Sequence, residues 1–533
     1  MAARRRTFKE LDRIVIRAEM TRRLSERTKP WDMVIIGGGA TGVGVAVDAA
    51  SRGYDVALIE QNDFGKGTSS RSTKLVHGGV RYLEQGDVAL VMEALQERGL
   101  MRQNAPHLVH DLAFVVPNYE WWEATFYGVG LKLYNLLAGK YGFGPSQVLD
   151  REETLERLPA IKTEGLRGGV VYYDGQFDDT RFLIHLAETA VEQGAVLTNY
   201  MRATALHRDS EGCVNSLDAE DMESGSKLRL NAKVVINATG VFTDSIRHMA
   251  EPGAPPMVSP SQGVHIVIDQ SFLRSNSAIL VPHTSDGRVM FALPWHGHTL
   301  VGTTDTPIPE ASLEPKPLAE EIEFLLETSA RYLSRPPRRE DVLSAWAGIR
   351  PLVKSTGATT TASLSRSHAI QIDNSGLLTI TGGKWTTYRH MAEDCVNHAV
   401  TLAKLDDRPV VTQRLNLHGF HQHASKFGDL DFYGSDAPAV EAVCRESAEY
   451  GGLLHPALPY RAGQVAWAAR FEMARTLEDV LSRRLRALTL NARAAIEMAP
   501  KAASILRREL GQSAEWEAQQ VAEFTTLAKG YLI

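Results

Sequence analysis

The sequence predicts an α/β fold: a Rossmann-like nucleotide-binding domain, an antiparallel-sheet substrate domain and a C-terminal helical domain. Three observations predict it. A strand, a glycine turn, a helix and a second strand follow one another within residues 32–60. Short apolar segments separated by turn residues (HIVID, VMFALPW, TLVGTT) fill residues 260–305, as in an antiparallel sheet. From about residue 435 to 533, Ala, Glu, Arg and Leu recur at helical spacing.

The elements follow in order. Residues 1–29 carry ten Lys or Arg against four Asp or Glu. Such a segment is either a solvated basic helix or a contact with anionic lipid, worth roughly 1 kcal/mol per cation near a surface. It lacks the apolar stretch of a secretory signal, and no run in the chain approaches the roughly 18 apolar residues of a spanning helix. Pro30 and Trp31 end it. MVIIG suits a strand buried on both faces, GGGATGVG a turn, VAVDAASRG a helix ending at Gly53, and YDVALIE a second strand ending at Glu60.

Residues 61–86 read as loop. Helices are expected over 88–104, 120–140, 150–157, 179–193 and 317–333, and buried strands at KVVINATG (233–240) and LLTIT, the latter turning at GG into another helix. The expected domains are a basic extension (1–30), a nucleotide-binding domain interleaved with a cap (31–404, the cap mainly 100–170 and 258–345), a linker (405–434) and a helical domain (435–533).

Composition bounds the function. With 533 residues, 44% hydrophobic and 23% charged, the chain builds several lobes rather than remaining disordered. A net charge of −6 gives no reason to expect nucleic acid. Cys213, Cys395 and Cys444 are far apart and are expected as packed thiols in a reducing, cytoplasmic setting. The histidines of HGFHQH (His418, His421, His423) have no carboxylate partner pattern, so no metal is expected. Arg483, Arg484 and Arg486 read as a solvated helix face, with docking to lipid or a subunit as the alternative.

Gly37, Gly39 and Gly42 form G-x-G-x-x-G between a strand and a helix. The first allows the tight turn, the second lets backbone approach a pyrophosphate, and the third lets helix and strand pack closely. The helix N-terminus offers N–H groups and a partial positive charge to phosphate. Glu60, 18 residues beyond Gly42, can accept ribose hydroxyls and would repel a 2′-phosphate. The fingerprint alone does not separate FAD from NAD. The hydroxyls and cations of KGTSSRSTK, and a second close backbone approach at Gly240 of NATG, favour FAD.

Taken together, GGGATGVG, TSSRSTKLVHGGVRYLE, YDGQFDDTR, VVINATG, GIRPL and TGGKWTTYR resemble the aerobic FAD-dependent glycerol-3-phosphate dehydrogenases, whose fold is that of the D-amino-acid-oxidase-like flavoproteins. HGGVRYLE and GGKWTTYR are the most specific of these segments, and the likeness spans residues 31 to about 530. The resemblance implies FAD, oxidation of sn-glycerol 3-phosphate to dihydroxyacetone phosphate, and electrons passed to membrane quinone. It places Gly37, Gly39, Gly42 and Glu60 at the adenosine end, and Ser70, Thr73, Lys74, Gly240 and Gly383 along the rest of the cofactor. It puts Arg81, Tyr82 and Lys384 at the reacting face, His265 on the substrate side, and Arg350 and Arg366 on the substrate phosphate.

An alcohol is a weak acid, so a base or cation must stabilise the developing alkoxide. His265 is the first candidate base and Arg81 the electrostatic alternative; Lys384 could favour the negative charge of reduced flavin. Two arginines can hold a phosphate bidentately and orient the reacting C–H. The basic extension departs from the usual bacterial pattern. A peripheral site on the inner face of the cell membrane is expected, and a homo-oligomer is left open. The alternatives are an oxidase that delivers electrons to oxygen and makes hydrogen peroxide, an amine or amino-acid oxidase on the same fold, and a non-catalytic flavin-binding protein.

Overall fold

The computed structural model describes residues 16–79, 88–120, 123–281, 284, 289–354 and 367–533, without the side chains of 124–126 and 129. Two sheets organise them. The first has a parallel core in the order Leu378–Gly382, Lys227–Asn237, Trp31–Ile36, Val56–Ile59 and Val196–Thr198. Its central strands are buried along nearly their whole length, as parallel strands with helices on both faces must be. Helix Ala40–Ser51 packs between helices Asp179–Glu192 and Tyr388–Leu402. Its small residues allow this closeness: a Cβ on Gly44 would lie 3.0 Å from the Tyr388 ring.

The second sheet has ten strands, among them Val109–Asn118, Gly168–Phe177, Val258–Asp269, His298–Gly302 and Val342–Val353. It is antiparallel except where Ala278–Val281 meets Val109–Asn118. The alternation of strand side chains divides it into two faces. Val264, Ile266 and Ile268, with Ala345 and Ala347, join Ile322 and Leu325 of helix Ala319–Tyr332 in one apolar core. Val267 and Trp346 point the other way, into the core shared with the nucleotide-binding domain.

Several boundaries differ from expectation. Trp31 opens the first strand instead of closing the basic segment. The cap strands run on to Phe177 and Val353. Residues 405–434, expected as a linker, lie packed along the nucleotide-binding domain. Thr412 Oγ1 donates to Asp48 at 2.9 Å, the Leu417 N–H to Asn104 O at 3.0 Å, and the His418 N–H to Thr189 Oγ1 at 2.8 Å. The basic segment contains helix Arg17–Ser25, docked through Met20 and Leu24. Arg17 is buried on Asp221, Asn199 O and Tyr200 O, and Arg22 pairs with Glu19 and Glu26. These cations are therefore already neutralised by the protein. Cys213 is exposed, whereas Cys395 and Cys444 are buried.

Candidate active site

The glycine turn joins the end of strand Trp31–Ile36 to helix Ala40–Ser51. A Cβ on Gly42 would stand 2.0 Å from the Gly37 carbonyl oxygen, and one on Gly37 2.6 Å from the Ala238 carbonyl oxygen. Only glycine lets helix and two strand ends meet this closely. Gly39 caps the helix without a side-chain bond of its own, at a helix N-terminus of the kind that suits an anion. Glu60 accepts the Gly38 N–H at 2.6 Å on one oxygen and the Asn62 N–H at 2.8 Å on the other. Burial raises its pKa and the two backbone donors pull the other way. This cradle fits the adenosine and pyrophosphate of a flavin dinucleotide, with Glu60 placed for ribose hydroxyls. On its open side Gly240 has a left-handed backbone (φ 59°) with no neighbouring atom where a Cβ would point.

Residues 68–76 leave the cradle and cross onto the second sheet. Thr68 Oγ1 donates to Ile349 O at 2.6 Å, and a Cβ on Gly348 would meet the Arg71 carbonyl oxygen at 2.7 Å. Lys74 is buried in a left-handed conformation (φ 64°), a strain of about 1–2 kcal/mol. Its ammonium donates to both oxygens of Asp179, at 2.8 and 2.9 Å, and to Ser70 O at 2.7 Å, over the rings of Trp295 and Trp346. Lys74, expected along the cofactor, thus uses its three protons to hold the loop, and its charge acts through space.

The β register brings the substrate-side residues together. Across the strands Val258–Asp269 and Val342–Val353, Ser261 faces Arg350, Gly263 faces Gly348, and His265 faces Trp346. All lie on the face turned away from the apolar core of the cap. Gly263 leaves room for the guanidinium and Gly302 for the imidazole: a Cβ at either would meet them at 2.4 and 2.3 Å. The Arg350 guanidinium donates to Thr304 O (2.9 Å), Gln262 O and Thr303 Oγ1 (both 3.2 Å), and contacts Asp305 at 3.3 Å. The His265 ring stacks on Trp346 at 4.4 Å, and its Nε2 lies 3.0 Å from Thr73 Oγ1. Its Nδ1 and the Trp346 Nε1 are buried with no hydrogen-bond partner among the described residues. Burial first, then the charges of Lys74 and Arg350, hold the imidazole well below the usual histidine pKa. It is neutral near pH 7.

Lys384 and Gly383 stand where strand Leu378–Gly382 turns into the helix beginning at Tyr388. That turn touches the loop from the cradle: the Trp385 indole N–H donates to Ser69 O at 2.9 Å, and the His77 N–H to Thr386 Oγ1 at 3.3 Å. The tertiary structure adds residues that were not singled out. Ser69 Oγ accepts the Ala40 N–H at 2.9 Å at the helix N-terminus; the TSSRST motif contains it, yet nothing in the motif distinguishes it from Ser70. Asp179 lies in the YDGQFDDTR segment without being marked out within it, and Trp346 and Asp305 carried no sequence signal. Arg81, Tyr82 and Arg366 lie outside the described residues.

Two other expectations change. Arg483, Arg484 and Arg486 form neither a solvated face nor a lipid-docking surface, because all three are buried on Asp63, Asp479, Glu478 and Asp178. His418 is buried against Asp436 at 2.5 Å and Glu192 at 3.0 Å, so carboxylates do surround it. Burial opposes its charge, but those acids and Glu188 raise its pKa well above the ordinary value, which makes it an ion-pair partner.

Comparison with known proteins agrees with this geometry. Residues 32–389 match the family model described as FAD dependent oxidoreductase, and residues 379–519 the one described as C-terminal domain of alpha-glycerophosphate oxidase. The chain is 41% identical to the mitochondrial glycerol-3-phosphate dehydrogenase of Rattus norvegicus, over 94% of this chain and 73% of that protein. Its counterpart in Arabidopsis thaliana is 40% identical over 94% and 86%. The FAD-complexed glycerol-3-phosphate dehydrogenase of Bacillus halodurans superposes with a TM-score of 0.79 at 30% identity, covering 97% of this chain and 98% of that one. From the glycine cradle, the Glu60 carboxylate and these likenesses, we conclude that the chain belongs to the FAD-dependent glycerol-3-phosphate dehydrogenase family.

Proposed function

We propose that the protein oxidises sn-glycerol 3-phosphate to dihydroxyacetone phosphate and passes the electrons to a membrane quinone. The observation that carries this is the pairing of a neutral His265 with the Arg350 guanidinium on one sheet face, reached by the loop that leaves the nucleotide cradle. When bound, FAD supplies the ring that accepts the two electrons and the hydrogen leaving the alcohol carbon. The protein's residues do the rest. Arg350, braced by Asp305 and the Thr304 carbonyl, is the proposed grip on the phosphate, with Arg366 as its proposed partner. His265 is the proposed acceptor of the hydroxyl proton.

Its low basicity in the free protein follows first from burial and then from the charges of Lys74 and Arg350. A phosphate of about two negative charges seated on Arg350 would offset that field and raise the imidazole's affinity for a proton. Binding of the phosphate thereby readies the base. Arg81 and Lys384 are proposed to stabilise developing negative charge, and Tyr82 to border the substrate.

Peripheral attachment to a membrane, on its cytoplasmic face, is part of the same proposal. No helix among the described residues is long and apolar enough to cross a bilayer. Helices Val88–Asn104 and Glu123–Ala138 pack together and expose Val88, Met92, Leu133 and Leu136, the last at 77%. Exposed apolar side chains of this kind suit the headgroup boundary.

The direct test is the absorbance of the purified protein before and after anaerobic addition of glycerol 3-phosphate. Bleaching of the flavin band is expected, with electrons then recovered on an added quinone. A flavin that glycerol 3-phosphate leaves oxidised would refute the substrate. Stoichiometric hydrogen peroxide at full turnover in air would replace quinone by oxygen as acceptor.

A further inference from the structure

We propose that residues 472–484 of the C-terminal domain clamp the loop at the adenosine end of FAD, with Arg484 and Arg483 as positioning residues for cofactor binding. This rests on the assignment of the Gly37–Gly42 turn and Glu60 to that end. The loop after Glu60 is bound to the cradle at several points. The Asn62 N–H donates to the Glu60 carboxylate at 2.8 Å, the Gly65 N–H donates to Gly38 O at 3.1 Å, and the Phe64 ring lies so close beneath Gly38 that a Cβ there would meet it at 2.8 Å. A shift of this loop therefore moves Gly38 and Glu60 directly.

Asp63, fully buried at the centre of the loop, is held from the far end of the chain. Arg484 donates to both its oxygens, at 2.5 and 2.9 Å, and Arg483 Nε to one at 2.5 Å. Asn199 adds a bond at 3.2 Å and is itself tied to Met473 O at 3.0 Å. The clamp has its own frame. Arg484 is anchored on Glu472 O at 2.7 Å, and Arg483 on Asp479 and Glu478, both at 2.6 Å. Glu478 reaches forward again to Lys66 at 2.5 Å.

The arrangement is more than a domain contact. The buried carboxylate and its two guanidiniums sit directly beneath the residues that meet the nucleotide, and a planar fork on Asp63 fixes the loop's orientation as well as its position. Asp63 is kept ionised because the two arginines outweigh the effect of burial. Docking of the C-terminal domain and occupancy by FAD are thus two sides of one equilibrium, each favouring the other.

The test uses the whole chain, stripped of flavin and titrated with FAD by quenching of flavin fluorescence. Arg484→Met, Asp63→Asn and the double variant are compared. Each single change is expected to weaken FAD binding on the order of tenfold or more. The double variant should bind no more weakly than the poorer single, because both remove the same linkage. KM for glycerol 3-phosphate at saturating FAD should stay at the parent value, a split that general loosening of the fold would not produce. Parental FAD affinity in both singles, or fully additive losses, would overturn the clamp. If Arg484→Met fails to fold, Glu478→Ala takes its place: it drops the Lys66 and Arg483 bonds at a partly exposed edge, and unchanged FAD affinity there would overturn the proposal equally. Gly39→Val is the control. If that variant still binds FAD, the adenosine-end assignment itself is wrong; if it loses FAD while the clamp variants keep it, only the clamp is wrong.

Discussion

Gly42→Ala perturbs the nucleotide cradle through backbone alone. The added methyl would lie 2.0 Å from the Gly37 carbonyl oxygen, where a carbon–oxygen contact needs about 3.3 Å. Escape sideways is blocked by the Gly37 carbonyl carbon at 3.1 Å and the Ala238 Cβ at 3.4 Å. The helix must therefore retreat from the strand by more than about 1 Å, an overpacking cost near 3 kcal/mol. The better helix propensity of alanine returns about 1 kcal/mol. The net loss is about 2 kcal/mol in the flavin-free protein, or a fall of about 2 °C in the unfolding midpoint of a chain this long. Gly39→Ala is the matched comparison. Its methyl would meet only Ser69 Oγ, at 3.1 Å, a side chain that can turn away. Flavin-free stability should then stay within about 0.5 kcal/mol of the parent, while FAD binding falls because the methyl stands where the pyrophosphate approaches. Thermal unfolding of both stripped variants, followed by FAD titration, separates the two effects. A stripped Gly42→Ala protein as stable as the parent would refute the packing argument.

Arg350→Ala should retain FAD yet raise KM for glycerol 3-phosphate on the order of a hundredfold, from loss of two charge-assisted bonds; loss of the flavin instead would show that the residue braces the fold. The acid limb of kcat should lie at higher pH than that of kcat/KM, because bound phosphate raises the pKa of His265; coincident limbs would refute that coupling between phosphate and imidazole. His107, its Nε2 3.0 Å from His185 Nδ1, is depressed to about 3 by burial and by neighbouring His418. An imidazole that stays neutral in the fold but charges when unfolded below about 6.5 makes stability fall as pH drops, by about 2 kcal/mol between pH 7 and 5. His418, whose pKa is raised, reaches its full stabilisation only below about pH 6.5, so it offsets part of the loss in the upper half of that range and none of it lower down. Urea unfolding at the two pH values measures it, and His107→Asn should flatten the slope. Leu136→Glu should reduce sedimentation with anionic vesicles while leaving activity toward soluble quinone intact; unchanged sedimentation would place the membrane contact elsewhere.

Several features were legible in the residues themselves. The glycine turn and Glu60 belong to one βαβ unit, whose strand spacing and backbone demands are local, so their positions in sequence already imply their positions in space. Helix Val88–Asn104 has the expected bounds for the same reason. His265 and Arg350 came only from resemblance, since neither has a neighbour in sequence that reveals its partner. It took strand register to set them on one face with Gly263 between them.

Charge misled where burial decided the outcome. Arg483, Arg484 and Arg486 look on a helical wheel like a solvated stripe, yet their acidic partners Asp63 and Asp178 lie hundreds of residues earlier in the chain. Lys74, expected along the cofactor, gives all three of its ammonium protons to Asp179 and Ser70 O. Local sequence determined backbone geometry, and with it the cofactor turn. Which charges are buried together, and which imidazole is kept neutral, depends on contacts between distant segments; packing decides those, because only packing removes the water that would otherwise leave every such group independent.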